Sequence, residues 1–588
     1  MREVTEPPAR DAADQSLPSP ALLWSLALLF TLVWFMMLGS RTLVPTDEGR
    51  YAEMAREMFF TGDWITTRLN GIKYFEKPPL QIWMTALAFK VFGLGEWQAR
   101  LWTGLCGYAG IILTGVAGMH VFGRRAGVAA AAILASCLFW AAMGHINTLD
   151  MGLAGGMALA LCGMLVSQVA AGPARTGVRR NWMLACWAGM ALAVLSKGLI
   201  GLALPGAVLI VYTLVARDWA IWTRLHLLAG CVVFAAITVP WFVLVSLQNP
   251  EFARFFFIHE HFERFTSKVH HREGAWYYFL PILVAGLLPW LAVTLQAMWA
   301  GCRARALPAA GIGTGLGSGS VAATARGFQP KKLLLVWSIL IFVFFSASGS
   351  KLPSYILPIF PALALLLAAY LQDASRRAWL LLAGSATLIG VVMLVLVARM
   401  PHFAKDAIDL ANYHAAQPWA AAAALALLAG GVAVLRWYRR GAAAQTGIDQ
   451  HLRATLALSV AGFAAVQLLL LGAEPHGRTR SGIALVPAIA AELTPTTPLY
   501  SVGLYDQTLP FYLRRTMTQV AHADELEFGL QQQPELWLPT REAFVARWRS
   551  GPKAVAITRP EIFAALQAQG VPMRVLARDD RRVAITNR

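Results

Sequence analysis

Apolar stretches long enough to cross a hydrocarbon layer of ~30 Å recur along this chain up to about residue 473, and that repetition constrains the fold more than any other feature. They lie near 21–40, 97–122, 126–143, 150–171, 182–197, 199–216, 226–247, 276–300, 332–349, 355–371, 378–399, 418–436 and 453–473. That makes about thirteen expected spans. Backbone in lipid must satisfy its own hydrogen bonds, so the spans are expected to be helical. The composition agrees, with 57% hydrophobic and 14% charged residues. The first stretch is longer than a signal-peptide core and has no small-residue cleavage pattern, so it is expected to stay as an anchor.

Charge on the short loops orients the spans. With a cytoplasmic N-terminus, Arg124 and Arg125, Arg175, Arg179 and Arg180, Arg217 and Arg224, Arg303 to Lys332, Arg376 and Arg377, and Arg436 to Arg440 all fall inside, while the short outer loops are nearly bare of Lys and Arg. An odd number of spans then puts the C-terminal part outside. The net charge of +18 is topological on this reading, and no nucleic-acid partner is expected. The six cysteines fall in spans or on the inner side, with no CxxC knuckle and no disulfide framework.

Two segments break the apolar pattern. Residues 304–330 read as a flexible cytoplasmic linker, and their glycine run lacks both the spacing and the Lys-Ser/Thr of a phosphate loop. From 474 to 588 short apolar runs (499–502, 554–558, 575–577, 583–585) alternate with helical candidates at 541–549 and 561–569, as in a small α/β domain. The fold expected is therefore mainly α. It is a polytopic membrane part, 1–473, with interfacial helices in a first outer loop at 41–96 and a second large outer loop at 248–275, followed by the extracytoplasmic α/β domain.

The first outer loop concentrates charge beside the membrane. From Asp47 onward Tyr51, Met54, Ala55, Met58 and Phe59 form one apolar stripe, with Arg50, Glu53 and Glu57 on another face, so an amphipathic helix in the membrane interface is expected. Thr46 or Asp47 can serve as its N-cap. Asp47, Glu48 and Arg50 gather at the helix start, where a functional role competes with capping. In the run Tyr74-Phe75-Glu76-Lys77-Pro78-Pro79-Leu80, Lys77 suits a phosphate and Glu76 suits a cation or an amine, against a plain reading as an interfacial belt with a snorkelling lysine.

Other polar groups stand at outer span boundaries: Asp150, Lys197, Lys351 and Tyr355. Each is costly in a membrane unless paired or hydrated, so together they outline a polar chamber open to the outside. In the second outer loop His259 and His261, near Glu260 and Glu263, are candidate zinc ligands that share one side only on an extended backbone, and Arg264 is a candidate phosphate donor.

The motifs Asp47-Glu48-Gly49-Arg50-Tyr51, Arg56-Glu57-Met58, Gly62-Asp63-Trp64, Asn70-Gly71 and Tyr74 to Leu80 closely resemble those of the aminoarabinose transferases of Gram-negative bacteria. These are membrane glycosyltransferases related to protein O-mannosyltransferases. The resemblance implies transfer of 4-amino-4-deoxy-L-arabinose from undecaprenyl phosphate to a phosphate of lipid A on the periplasmic face of the inner membrane, with resistance to cationic peptides such as polymyxin as the outcome. It implies roles for Asp47 and Asp150 as the important acids. It also implies a divalent cation, zinc, held by Glu76 with a histidine of the 259–261 stretch. Glu48 joins Asp47 and Asp150 as a candidate catalytic residue, and Arg50, Tyr51, Tyr74, Lys77, Lys197, Arg264, Lys351 and Tyr355 are the candidate phosphate and donor contacts.

The expected chemistry is a single displacement. A lipid A phosphate is already anionic near neutral pH, its second pKa being ~6 as in other phosphate monoesters, so it needs little help from a general base. The cations would stabilise the leaving phosphate. A protein O-glycosyltransferase and a secondary transporter are the competing classes, and no inverted repeat supports the second. A monomer in the bilayer is expected.

Overall fold

The structure, a computed structural model, describes residues 19–169, 176–263, 274–304, 327–440 and 450–588, with the backbone alone for 259–263. Nearly all of the expected linker, and Arg264, lie outside the described residues. Among those described, nine helices are long and apolar enough to cross a membrane, and a tenth is counted if Phe279–Gly286 and Leu291–Cys302, bent by 102°, form one span. The other expected spans are helical in a different way. The stretch near 126–143 divides into Arg124–Ser136 and Leu138–Met143 at Cys137, whose backbone is extended, and Ile200–Ala216 is a shorter apolar helix. The chain is a polytopic membrane protein.

The centre of the bundle is set by small residues. Leu149–Val169 is 89% buried over its span window and Pro353–Leu371 is 83% buried, against 11% for the first span. Leu149–Val169 runs antiparallel to Thr176–Lys197, and the two backbones approach closely: a Cβ on Gly156 would stand 2.8 Å from the Gly189 carbonyl oxygen. Without a hydrophobic drive between helices in lipid, such small-residue contacts hold them together. The antiparallel pairing brings the first turn of one helix beside the last turn of the other. Asp150 and Lys197 sit at those two ends.

Between the first two spans the chain forms the helix Asp47–Thr61, ended by Gly62 at φ +71°. A short hairpin follows, β1 (Arg68–Leu69) with β2 (Ile72–Lys73), turned by Asn70 and Gly71 at φ +59° and +79°, the left-handed pair that an Asn-Gly turn favours. Thr46 occupies the N-cap position without a side-chain bond to the helix, so the expected cap is not formed.

The C-terminal part is a six-stranded sheet in the order β5-β4-β3-β6-β8-β7. Strands β3 (Leu499–Val502), β4 (Thr518–Val520), β5 (Trp537–Leu538) and β6 (Val555–Thr558) are parallel, and β8 (Val583–Thr586) runs antiparallel to both β6 and β7 (Arg574–Arg578). The central strands are buried on both faces, which explains why they are mostly apolar, and the hydroxyls of Ser501, Thr558 and Thr586 donate to backbone carbonyls.

The loop helix departs from expectation in its surroundings. Residues Glu48 to Met58 are buried without interruption, the charged face included, because the C-terminal domain covers that face. A Cβ on Gly49 would lie 2.3 Å from the Gln507 carbonyl oxygen, and one on Gly529 would lie 2.2 Å from that of Lys73. Asn70 exchanges two hydrogen bonds with the Met517 backbone, and Arg56 donates to the Arg514 carbonyl. The helix is thus a seat for the C-terminal domain, and its apolar stripe packs on protein.

Candidate active site

Packing of the two central helices joins Asp150 to Lys197, whose ammonium donates to the Asp150 carboxylate. Their side chains are 6% and 14% exposed. An ion pair this deep is tolerated because each charge has a partner. The same ammonium lies 4.4 Å from the centre of the Tyr355 ring, a cation–π contact that adds a second partner.

The loop helix supplies the opposite wall. One Arg50 nitrogen stands 3.7 Å from the Asp47 carboxylate and 3.4 Å from the Tyr74 hydroxyl, and the other stands 2.5 Å from Glu525 of the C-terminal domain. Asp47 keeps 37% of its side chain exposed, whereas Arg50 keeps 10%. Tyr51 feels charges from both groups. Burial, then the carboxylates of Asp47, Glu76 and Asp150, push its hydroxyl well above the ordinary range against the pull of Arg50, so it stays a neutral hydrogen-bond group. Tyr74 is held neutral in the same way, by burial first and then by Glu76. Asp47 is also within electrostatic reach of Lys197. One electrostatically coupled cluster therefore includes Asp47, Arg50, Tyr51, Tyr74, Glu76, Asp150, Lys197 and Tyr355.

Other expected residues fall elsewhere or are engaged differently. Lys77 donates to the Glu76 carbonyl at 2.9 Å and lies 3.9 Å from the Glu76 carboxylate, both side chains about one-fifth exposed. The Lys351 ammonium donates to the Ser346 carbonyl at 2.7 Å, one turn away from Tyr355. Glu48 requires a correction: it is a buried anchor rather than a reacting acid. Its carboxylate pairs with Arg100 at 2.6 and 2.8 Å and also accepts from the backbone N–H groups of Val44 and Asn147.

The metal expectation rests on residues that are only partly described. Over Arg254–Glu263 the backbone is a π-helix, so the extended geometry that lets His259 and His261 share a side is not present. Their side chains, and Arg264, lie outside the described residues. Among those described, no group of three or more His, Cys, Asp or Glu could hold a metal ion.

Two residues were missed. Glu525 sits in an acidic run of a domain that showed no motif, and nothing local marks it. Arg100 had a signal, since a cation in the first turns of an apolar span demands a partner.

Comparison with known proteins places this geometry. Residues 485–587 match the family model for the aminoarabinose transferase C-terminal domain, and residues 76–243 match that for dolichyl-phosphate-mannose-protein mannosyltransferase. The crystal structure of ArnT from Cupriavidus metallidurans bound to undecaprenyl phosphate superposes with a TM-score of 0.87 at 41% identity, covering 97% of this chain and 99% of that one. The chain belongs to the aminoarabinose transferase family. Within that family the apo ArnT structure from the same organism gives a TM-score of 0.85, again at 41% identity and with the same coverage of both chains. The undecaprenyl phosphate-alpha-4-amino-4-deoxy-L-arabinose arabinosyl transferases of Edwardsiella ictaluri and Aeromonas salmonicida are 31% and 32% identical over 59% and 64% of this chain. These matches span 59% and 65% of the length of those curated relatives. The C-terminal domain, where no motif was legible, is thus the part matched by the aminoarabinose transferase model.

Proposed function

We propose that the chain transfers 4-amino-4-deoxy-L-arabinose from undecaprenyl phosphate to a phosphate of lipid A, at the periplasmic face of a bacterial inner membrane. The observation that carries the reading is the superposition over nearly the whole chain on ArnT bound to undecaprenyl phosphate. In the step, the bond between the anomeric carbon and the donor phosphate oxygen breaks and its electron pair leaves with the prenyl phosphate. An oxygen of the acceptor phosphate forms the new bond from the opposite face, with inversion. The nucleophile is already ionised, so no proton has to be removed.

Arg50 and Lys197 are fixed cations of this cluster, suited to the charge that develops on the leaving phosphate. Lys77 and Arg264 complete the proposed phosphate set, with Tyr51, Tyr74, Lys351 and Tyr355 as further donor contacts. Asp47, the most exposed carboxylate of the cluster, is suited to orient the sugar or pair with its ammonium. Asp150 holds Lys197. A divalent cation, zinc, on Glu76 with His259 or His261 belongs to the same proposal and would add fixed positive charge beside the phosphates. Metal content of the purified chain, compared with Glu76→Gln, tests it.

The orientation follows from the arginine-rich loops: N-terminus cytoplasmic, C-terminal domain periplasmic. Alkaline phosphatase fused after Arg588 should be active. Mass spectrometry of lipid A from a transferase-deficient host carrying this chain should show one added aminopentose, and that gain of positive charge should weaken binding of cationic peptides. The match to the mannosyltransferase model supports protein O-glycosylation as a second reading. Label from the donor entering protein rather than lipid A would favour it.

A further inference from the structure

We propose that Glu525 is a positioning residue of the transfer site: from the C-terminal domain it fixes the Arg50 guanidinium against the phosphate that leaves. The inference rests on the transfer reading above. Glu525 lies on no element of the membrane part, yet its carboxylate meets Arg50 at 2.5 Å with only 16% of its side chain exposed. Its other oxygen accepts from the Gln507 amide, so the carboxylate is held at both ends. Gln507 is in turn the residue whose carbonyl the loop helix approaches at Gly49, so the clasp and the ion pair share one contact region. The segment that presents Glu525 is specially shaped, with Ala521 at φ +50° and Asp524 at φ +41°, left-handed conformations that side chains other than glycine seldom adopt.

The consequence for Arg50 is geometric. A guanidinium offers a planar fork, and its value to a phosphate depends on where the fork points. Arg50 is gripped on one nitrogen by Asp47 and Tyr74 and on the other by Glu525. Removing Glu525 leaves the fork free to turn toward Asp47, away from the developing charge. The groups facing Glu525 are Arg50, Tyr74 and Glu76 from the loop, with Gln507, Tyr505 and Asp524 from its own domain.

The test uses the full-length chain in detergent. Glu525→Ala and Glu525→Gln should lower kcat by up to about 100-fold, the cost of a displaced reacting-site group, with a smaller change in KM for the donor. Glu525→Asp should recover part of the rate. Asn70→Ala, which cuts another contact of the same interface, controls for loosened docking. Undecaprenyl phosphate, the leaving group with its full charge, is the second probe. Its affinity should drop about tenfold in Glu525→Ala, as for loss of a charged hydrogen bond, and hold in Asn70→Ala. Wild-type rate and affinity in Glu525→Ala overturn the proposal, as do equal losses in Asn70→Ala. If the wild type binds undecaprenyl phosphate but transfers no sugar, the transfer reading fails, and the affinity comparison alone decides whether Glu525 positions Arg50.

Discussion

Glu48 and Arg50 stand two residues apart on one helix, yet they end in opposite kinds of surroundings. Glu48 closes a sealed pocket. Arg100 donates all five of its N–H groups there, to both Glu48 oxygens and to the carbonyls of Leu38, Arg41 and Thr42. Burial opposes the charge on Glu48, but Arg100 and the added hydrogen bonds still hold its carboxyl below the ordinary value. Arg50 instead belongs to an open cluster whose Asp47 partner remains partly exposed. A saturated pair has nothing left to offer a ligand, while an unsaturated one can be redirected toward it. The difference separates scaffold from candidate chemistry within a single helical turn.

Breaking the sealed pocket should have the largest effect. Arg100→Ala strands Glu48 in a buried site at a cost of about 3–5 kcal/mol, so little folded protein should survive size-exclusion chromatography in detergent. A normal melting curve for that variant would erase the distinction drawn here. Asp47→Ala should do the reverse, abolishing transfer to lipid A with the melting curve unchanged. Arg50→Lys keeps the charge but loses the planar fork, so transfer should fall by about tenfold, one bidentate contact being worth about 1.5–3 kcal/mol at most.

The smallest effect concerns the seat itself. Burial and then Glu53 push the Glu57 carboxyl up to about 8, although the N–H groups of Asn70 and Gly71 donate to it. A carboxyl raised on folding contributes fully below its unfolded value of 4.5 and loses that contribution as pH rises through about 8. The wild-type melting temperature should therefore decline between those limits by a few degrees relative to Glu57→Gln. A parallel pH dependence in the two proteins would show that the closed side of the helix does not depend on this proton.

Much of this was legible locally. The apolar stretches gave helices where they were expected, and β3, β6, β7 and β8 coincide with the short apolar runs of the C-terminal domain. Strands β4 and β5, of three and two residues, are too short to carry a period, and pairing with their neighbours alone defines them. The Tyr74 to Leu80 run and the Asp47 helix meet in the structure, through the contact of Arg50 with Tyr74. The partners of that helix were invisible, because Gln507, Arg514 and Glu525 stand more than four hundred positions away and their matching is a property of packing. Periodicity likewise assigned Arg50, Glu53 and Glu57 to a solvated face, since a charged stripe reads as exposed until its partners are known.

By itself the sequence determined that this is a bundle of membrane helices with charge massed at one boundary, because hydrocarbon tolerates nothing else over such lengths. Only the tertiary structure decided which of those charges oppose one another. Ion pairing acts over a few ångströms in space and is indifferent to separation along the chain. The antiparallel packing that joins Asp150 to Lys197, and the docking that sets Glu525 on Arg50, are therefore written in the fold rather than in any motif.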